Sequence, residues 1–175
     1  LDNLVFACLL HDLGVSSTAE HRRLVSGAAG HDTQAHCERA FELLQPFAHL
    51  SLLATAIRYH HTPWAELPAD LGEADAIDSN LILLADRVDA LLLRHGLENP
   101  LFHAASICRE ISTLSGRVLQ PEIVAAFLAA ATREAFWIAL VPRHVQSYLA
   151  DLALPQWGVP IEFPQFRHVA RLVSS

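Results

Sequence analysis

Methionine is absent from this chain, position 1 included, and cysteine occurs three times, at Cys8, Cys37 and Cys108. Three widely spaced thiols exclude a disulfide framework and a paired-cysteine zinc module, so a reducing compartment, the cytoplasm, is expected. Long apolar runs are lacking too. The densest ones, around 81–93 and 123–141, are broken by Asp86, Arg87, Asp89, Arg133 and Glu134, which excludes a membrane span there. No signal-peptide pattern opens the chain. Basic residues are scarce, with 12 Lys and Arg against 19 Asp and Glu, a net charge of −7. That balance argues against broad nucleic-acid binding, but leaves room for a small phosphorylated ligand held through metal ions. There is no internal repeat, no low-complexity segment and no period-2 strand pattern longer than a few residues. Without an initiator methionine, and with Leu1 already inside an apolar helical pattern, the chain is expected to be a piece of a longer protein.

Apolar residues and histidine are abundant. In 175 residues the hydrophobic fraction is 52%, enough for one domain with a sizeable core, or a domain and an appendage. The spacing predicts an all-α fold. A first helix covers 2–10, with Leu4, Val5, Cys8 and Leu9 on one face. Ser16, Ser17, Thr18, Gly27 and Gly30 make 15–31 a loop or broken helix. Asp32-Thr33 offers an N-cap for a helix that Pro46 stops, with His36, Ala40, Leu43 and Leu44 inward. The next helix, 48–61, turns Leu52, Leu53, Ala56 and Ile57 inward and ends before Pro63. After a loop at 62–76 a long helix covers 77–95, stopped by Gly96. Pro100 and Pro121 fit the first turns of helices at 100–114 and 121–139. A short helix at 142–152, linker composition at 155–164 and a last helix from Gln165 complete the chain. Cys8 and Cys108 fall in apolar patterns and are expected in the core.

The polar exceptions to that pattern carry the chemistry. An apolar helix ends in His11-Asp12, followed by Gly14 where a helix would stop. Adjacent positions point about 100° apart on a helix, so the pair suits a metal near the helix end better than a mutual contact. The carboxylate has two oxygens and can bridge two ions. His36 lies on an inner helix face, His60-His61 form a doublet at a helix end, and Asp86 falls in the middle of an apolar face. A buried carboxylate requires a partner or a metal. Each feature alone reads as ordinary: a polar helix end, or an imidazole doublet favoured by the C-terminal dipole. Together they point to a metal site. Imidazole and carboxylate donors suit Fe, Mn, Co, Ni or Zn, and the surplus of donors suits two divalent ions that activate water and clamp a phosphoryl group. Asp89 is the weaker acidic candidate, and His21 and His31 are possible contributors. Cys37 adjoins His36, with soft thiolate ligation the lesser option. His49, His95, His103, His144 and His168 read as surface or interface residues.

The segments ACLLHDLG (7–14), HCERAFELL (36–44), AIRYHH (56–61), LADRVDALL (84–92) and SGRVLQPEIVAAFL (115–128) resemble the HD superfamily of metal-dependent phosphohydrolases. The likeness is strongest to its HD-GYP branch, which hydrolyses cyclic di-GMP. It covers about residues 4–130. It implies a helical bundle at 1–140 lacking its N-terminal part, then a helical extension and linker at 141–175 leading to a second HD-type domain. It also implies that His11, Asp12, His36, His60, His61 and Asp86 are metal ligands for one or two ions. Asp12 would be the bridge, and His11 and Asp12 the catalytic pair. The implied activity is phosphodiester hydrolysis, with a cyclic dinucleotide such as cyclic di-GMP as substrate. Three departures stand against that. Val15 occupies the position of a family lysine near the phosphate. The stretch 62–68 replaces the Gly-Tyr-Pro loop. A ligand histidine that the family carries upstream lies beyond the ten residues preceding His11. The first two favour an alternative, a degenerate HD domain that binds metal or nucleotide and regulates a catalytic partner half.

Overall fold

Alanine- and leucine-rich segments punctuated by proline and glycine make short helices with hard stops. The computed structural model describes residues 2–26, 33–96, 98–142 and 144. Among these residues the elements are α1 (Asp2–Leu10), α2 (Thr18–Ser26), α3 (Gln34–Leu44), α4 (Ser51–Arg58), α5 (Glu73–His95), α6 (Pro100–Thr113), α7 (Pro121–Ala131) and α8 (Glu134–Ala139). A single 3-10 turn at Trp64–Glu66 and an isolated bridge between Ser115 and Leu119 are the remaining regular features. The protein is all-α, as expected.

The described residues form two compact units. The first holds α1 to α4 and the start of α5 as far as Ile82; the second holds the 3-10 turn, the rest of α5 from Leu83 and α6 to α8. In the first unit α1 and α3 pack on α4. Ala7, Ala40, Ala54 and Ala56 bring the backbones close, and Leu44, Leu53, Ile57 and Ile82 fill the space between them. In the second unit α6, α7 and α8 pack on one another around the buried Trp137, with Ile107, Ile111 and Phe127 also buried. Pro100 and Pro121 occupy first turns, as read from the sequence. Gly96 stops α5 at a φ of 100°, a conformation that a side chain would strain.

Several local expectations are corrected. Of the two readings of 15–31, loop or broken helix, the second holds for 18–26, which form α2. Its signal was Ser17-x-x-Glu20, a capping box: Ser17 Oγ accepts the Glu20 N–H at 3.1 Å. Leu9 and Leu52 are 54% and 67% exposed rather than inward. The inward residue of α1 is Ala7, because α1 is apolar around its whole circumference and its pattern cannot choose a face. Helix α4 is shorter than expected, and Thr33 makes no side-chain cap bond. Helix α5 starts four residues early, with Glu73 and Asp75 complementing its N-terminal dipole. The helix expected at 121–139 breaks between α7 and α8, where the Trp137 indole donates to the Ala131 carbonyl at 2.8 Å. Asp86 is half-buried rather than buried, with the Arg87 guanidinium 3.9 Å away. Cys8 and Cys108 are also half-buried, not core. The expected helices at 142–152 and from Gln165, the linker at 155–164, His31 and His168 lie outside the described residues, except for the first positions of 142–152.

Candidate metal centre

Two histidines of the first unit use one local device. Helix α1 ends at Leu10, and His11 Nδ1 donates to the Cys8 carbonyl three residues back, at 2.7 Å. Helix α4 ends at Arg58, and His60 Nδ1 donates to the Ile57 carbonyl, again three back, at 2.6 Å. Each imidazole thereby donates to a carbonyl of the last helical turn, where acceptors lack their full intrahelical partners. With the proton on Nδ1, the Nε2 lone pair is left for a ligand. Both sit at the negative end of a helix dipole, which favours a cation there.

His36 joins them from the middle of α3. It and His60 are fully buried, and His36 Nδ1 and His60 Nε2 have no hydrogen-bond partner. Burying an unsatisfied polar atom is unfavourable by about 1–3 kcal/mol, so two of them in one cluster call for a ligand. Burial holds the His36 pKa below its ordinary value. Burial and then the neighbouring His61 push that of His60 well below it, so both rings are neutral acceptors. Ring centroids lie 5.1 Å apart for His11 and His60, 5.4 Å for His36 and His60, 5.0 Å for His36 and His61, and 4.2 Å for His60 and His61. Asp12 stands between two of these rings, Oδ2 being 3.5 Å from His11 Nε2 and Oδ1 3.5 Å from His36 Nε2. Ligand bonds of 2.0–2.2 Å in a tetrahedral shell place neighbouring donors about 3.3–3.6 Å apart. Donor atoms of His11, Asp12 and His60, and of His36, Cys37, His60 and His61, form two groups compact enough to hold an ion. The donor set fits a divalent metal. The structure therefore brings His11, Asp12, His36, His60 and His61 together. Asp86 and Asp89 lie on the part of α5 that belongs to the second unit. His95 and His103 stack on one another in that unit, with ring centroids 4.9 Å apart.

What draws the His11-Asp12 turn against α3 is the loss of a side chain. Gly14 is buried, and a Cβ there would meet the His36 carbonyl oxygen at 1.9 Å and the Ala40 nitrogen at 2.6 Å. The turn is also clamped by residues that sequence reading did not single out. Arg39 Nε donates to the Gly14 carbonyl at 2.6 Å, and its Nη2 pairs with Glu20 Oε1. The other Glu20 oxygen accepts Ser16 N–H and O–H, each at 2.7 Å. On the far side of α3, Gln34 donates to the Arg58 carbonyl at 3.1 Å, and Glu38 accepts from Arg58 Nε at 3.0 Å. These contacts set α3 against the end of α4 that carries His60. Only the Ser17-x-x-Glu20 box could have flagged the Glu20–Arg39 clamp beforehand.

Burial works against ionisation of Glu20, but the Ser16 and Arg39 hydrogen bonds outweigh it and hold its carboxyl at about 2 instead of 4.5. Folding thus favours the ionised form. The contribution is complete above pH 4.5 and is lost as the pH falls toward 2. Glu20→Gln is expected to lower stability at pH 7 and to flatten the acid limb of the stability–pH curve. Denaturant titrations from pH 7 to pH 2 read both; a variant curve parallel to that of the wild type would contradict the clamp.

Residues 1–91 match the HD domain family. The chain belongs to the HD domain family. His11-Asp12 is a His-Asp doublet within the matched residues of this HD domain, and it stands in the imidazole cluster just described. Over 150 residues, 82% of the chain, this HD protein is 35% identical to the 3'3'-cGAMP-specific phosphodiesterase 1 of Vibrio cholerae serotype O1. The match covers 35% of that protein, so the chain spans about a third of the length of its curated relative. No solved structure matches the chain significantly. No helix among the described residues is long and apolar enough to cross a membrane.

Proposed function

We propose that this chain is the metal-binding module of a metal-dependent phosphodiesterase that hydrolyses a cyclic dinucleotide. The observation that carries the reading is the pair of buried, unpartnered imidazole nitrogens, His36 Nδ1 and His60 Nε2, in a cluster where Asp12 Oδ1 lies 3.5 Å from His36 Nε2. The likeness to a 3'3'-cGAMP phosphodiesterase supports the substrate class. Asp12, His11, His36, His60 and His61 would hold one or two divalent ions of the Fe, Mn, Co, Ni or Zn group. Asp86 joins that set through the family resemblance alone. Such ions supply Lewis acidity toward phosphoryl oxygens and acidify water. The chain's own contribution is to keep the imidazoles neutral, to fix the His11 and His60 rings through the Cys8 and Ile57 carbonyls, and to lock the Asp12 turn on α3.

The HD-GYP branch, a second HD-type domain in the longer protein and a cytoplasmic setting belong to the same proposal. Three free cysteines support the last of these. A regulatory, catalytically degenerate module is the second reading, favoured by Val15 and by the loop that follows the histidine doublet. Val15 cannot supply the cationic contact a lysine would, and such stabilisation is worth about 10²–10³ in rate. The loop 62–68 has no glycine to let backbone approach a ligand closely.

The test is to load the protein with Mn²⁺ or Fe²⁺ and follow linearisation of 3'3'-cGAMP and cyclic di-GMP beside a simple phosphodiester. Hydrolysis of 3'3'-cGAMP is expected, with cyclic di-GMP cleaved weakly or not at all. Cyclic di-GMP turnover of about 1 s⁻¹ or faster would show that too much weight rests on Val15 and the lost loop. Metal binding without hydrolysis of any of the three supports the regulatory reading. In the full-length protein Val15→Lys is expected to raise the rate.

A further inference from the structure

Cys37 is the one donor in the cluster that is neither imidazole nor carboxylate. It follows His36 on α3, and its side chain is fully buried. Its Sγ lies 3.7 Å from His36 Nε2 and 3.6 Å from His60 Nδ1. One donor atom from each of His36, Cys37, His60 and His61 falls within 4.8 Å of all the others. A tetrahedral ion with a sulfur bond near 2.3 Å and nitrogen bonds near 2.0–2.1 Å sets sulfur and nitrogen about 3.5–3.6 Å apart. The spacing between Cys37 and His36 is close to that edge before any ion pulls the donors together. A second observation concerns the other nitrogen of His60: Nδ1 is held by the Ile57 carbonyl, and Nε2, fully buried and without a partner, is the donor that ring offers. The competing role for Cys37 is structural, since its thiol donates to the Thr33 carbonyl at 3.2 Å. In that bond the thiol is the donor, so it uses the S–H and not the sulfur lone pairs.

We infer that Cys37 is a metal ligand, and that the chain carries a buried one-sulfur, three-imidazole site, made by Cys37 with His36, His60 and His61, that takes a soft or borderline cation such as Zn²⁺. The inference rests on the metal-binding reading of the same cluster and goes beyond it by giving the shell a thiolate. On binding, the sulfur–metal bond forms as the S–H bond breaks, and the proton passes to solvent. Burial pushes the Cys37 thiol up to about 12 and the backbone N–H of His61 offsets only part of that, so the proton leaves in exchange for the cation and not before it. A thiolate in the shell tilts selectivity from Mn²⁺ toward Zn²⁺, Co²⁺ and Cd²⁺. It also makes the centre sensitive to thiol oxidants, which an all-imidazole and carboxylate shell would not be.

The experiment loads the full chain with Co²⁺ and records its absorption. The wild type is expected to show a thiolate-to-cobalt charge-transfer band in the near ultraviolet. Cys37→Ser is expected to lose that band while keeping the visible cobalt bands from the imidazoles, and to lower the preference for Cd²⁺ over Mn²⁺ at least about ten-fold. Cobalt bound without the band, or a band that survives in Cys37→Ser because Cys8 or Cys108 supplies it, overturns the inference and leaves the metal reading standing. No cobalt bound by the wild type overturns both. Zinc-edge X-ray absorption on the unmodified protein reads the same point without any variant. One sulfur at about 2.3 Å supports the ligand, and a shell of nitrogen and oxygen alone removes it.

Discussion

Alanine at position 14 is expected to destabilise the first unit by at least about 3 kcal/mol and to abolish metal binding with it. Overpacking a flexible core usually costs about 1–3 kcal/mol because side chains can rotate away. Here the added methyl would meet backbone: the His36 carbonyl oxygen at 1.9 Å and the Ala40 nitrogen at 2.6 Å. Neither atom can move without opening α3, whose hydrogen bonds hold the site's central histidine. The only relief is to lift the turn off α3. That would carry Asp12 away from His36 Nε2 and break the Arg39 bond to the Gly14 carbonyl. Gly14→Ala in the full chain, measured by denaturant unfolding and by retained metal after gel filtration, tests this. A loss under about 1 kcal/mol with metal content unchanged would mean that the turn and α3 are not in such contact. Gly96→Ala is the contrasting variant, since a Cβ there meets nothing within 4 Å and the penalty comes from its φ of 100° alone. That penalty is about 1–2 kcal/mol.

Asp12→Ala is expected to give the largest functional loss. Its two oxygens face two different imidazoles, each at 3.5 Å, and among the described residues it is the carboxylate of the donor group formed with His11 and His60. Removing it takes negative charge from a site otherwise made of neutral imidazoles and leaves His36 and His11 without their common neighbour. Even neighbours that merely orient a ligand are worth 10–100-fold in metal affinity or activity, so deletion of a shared ligand should exceed about 100-fold. The measurement is bound metal per chain together with the rate of 3'3'-cGAMP linearisation, with His49→Ala, an exposed residue, as the control. Wild-type metal content in Asp12→Ala would take Asp12 out of the shell. Asp12→Asn keeps the shape but not the charge. It should fall between the two if charge as well as geometry holds the ion.

Whatever depends on near neighbours in the chain was legible beforehand. Proline at first turns, glycine after α5 and the helical spacing of leucine and alanine sufficed for an all-α protein with most of its helices in place. His11, Asp12, His36, His60 and His61 could be picked out because each is a polar interruption of an apolar helix pattern, and five such interruptions in family order are hard to produce by chance. Contacts between distant segments were not legible, and they decided the rest. Helices α1 and α4 have more apolar faces than the core can cover, so packing, not periodicity, turned Ala7 inward and Leu9 and Leu52 out. Gly14 looked like a helix stop. It is instead the point where one backbone touches another, and no local pattern reports the approach of residue 36 to residue 14. Arg39 and Glu20, 19 positions apart, became a clamp only when α2 and α3 met. Cys37 and His60 became neighbours only when α3 and α4 did, 23 positions apart. Sequence specifies which side chains can bind a metal. Which of them converge, in which tautomer and with what sulfur beside them, is set by helix packing, because those properties belong to pairs of residues that only the folded chain brings together.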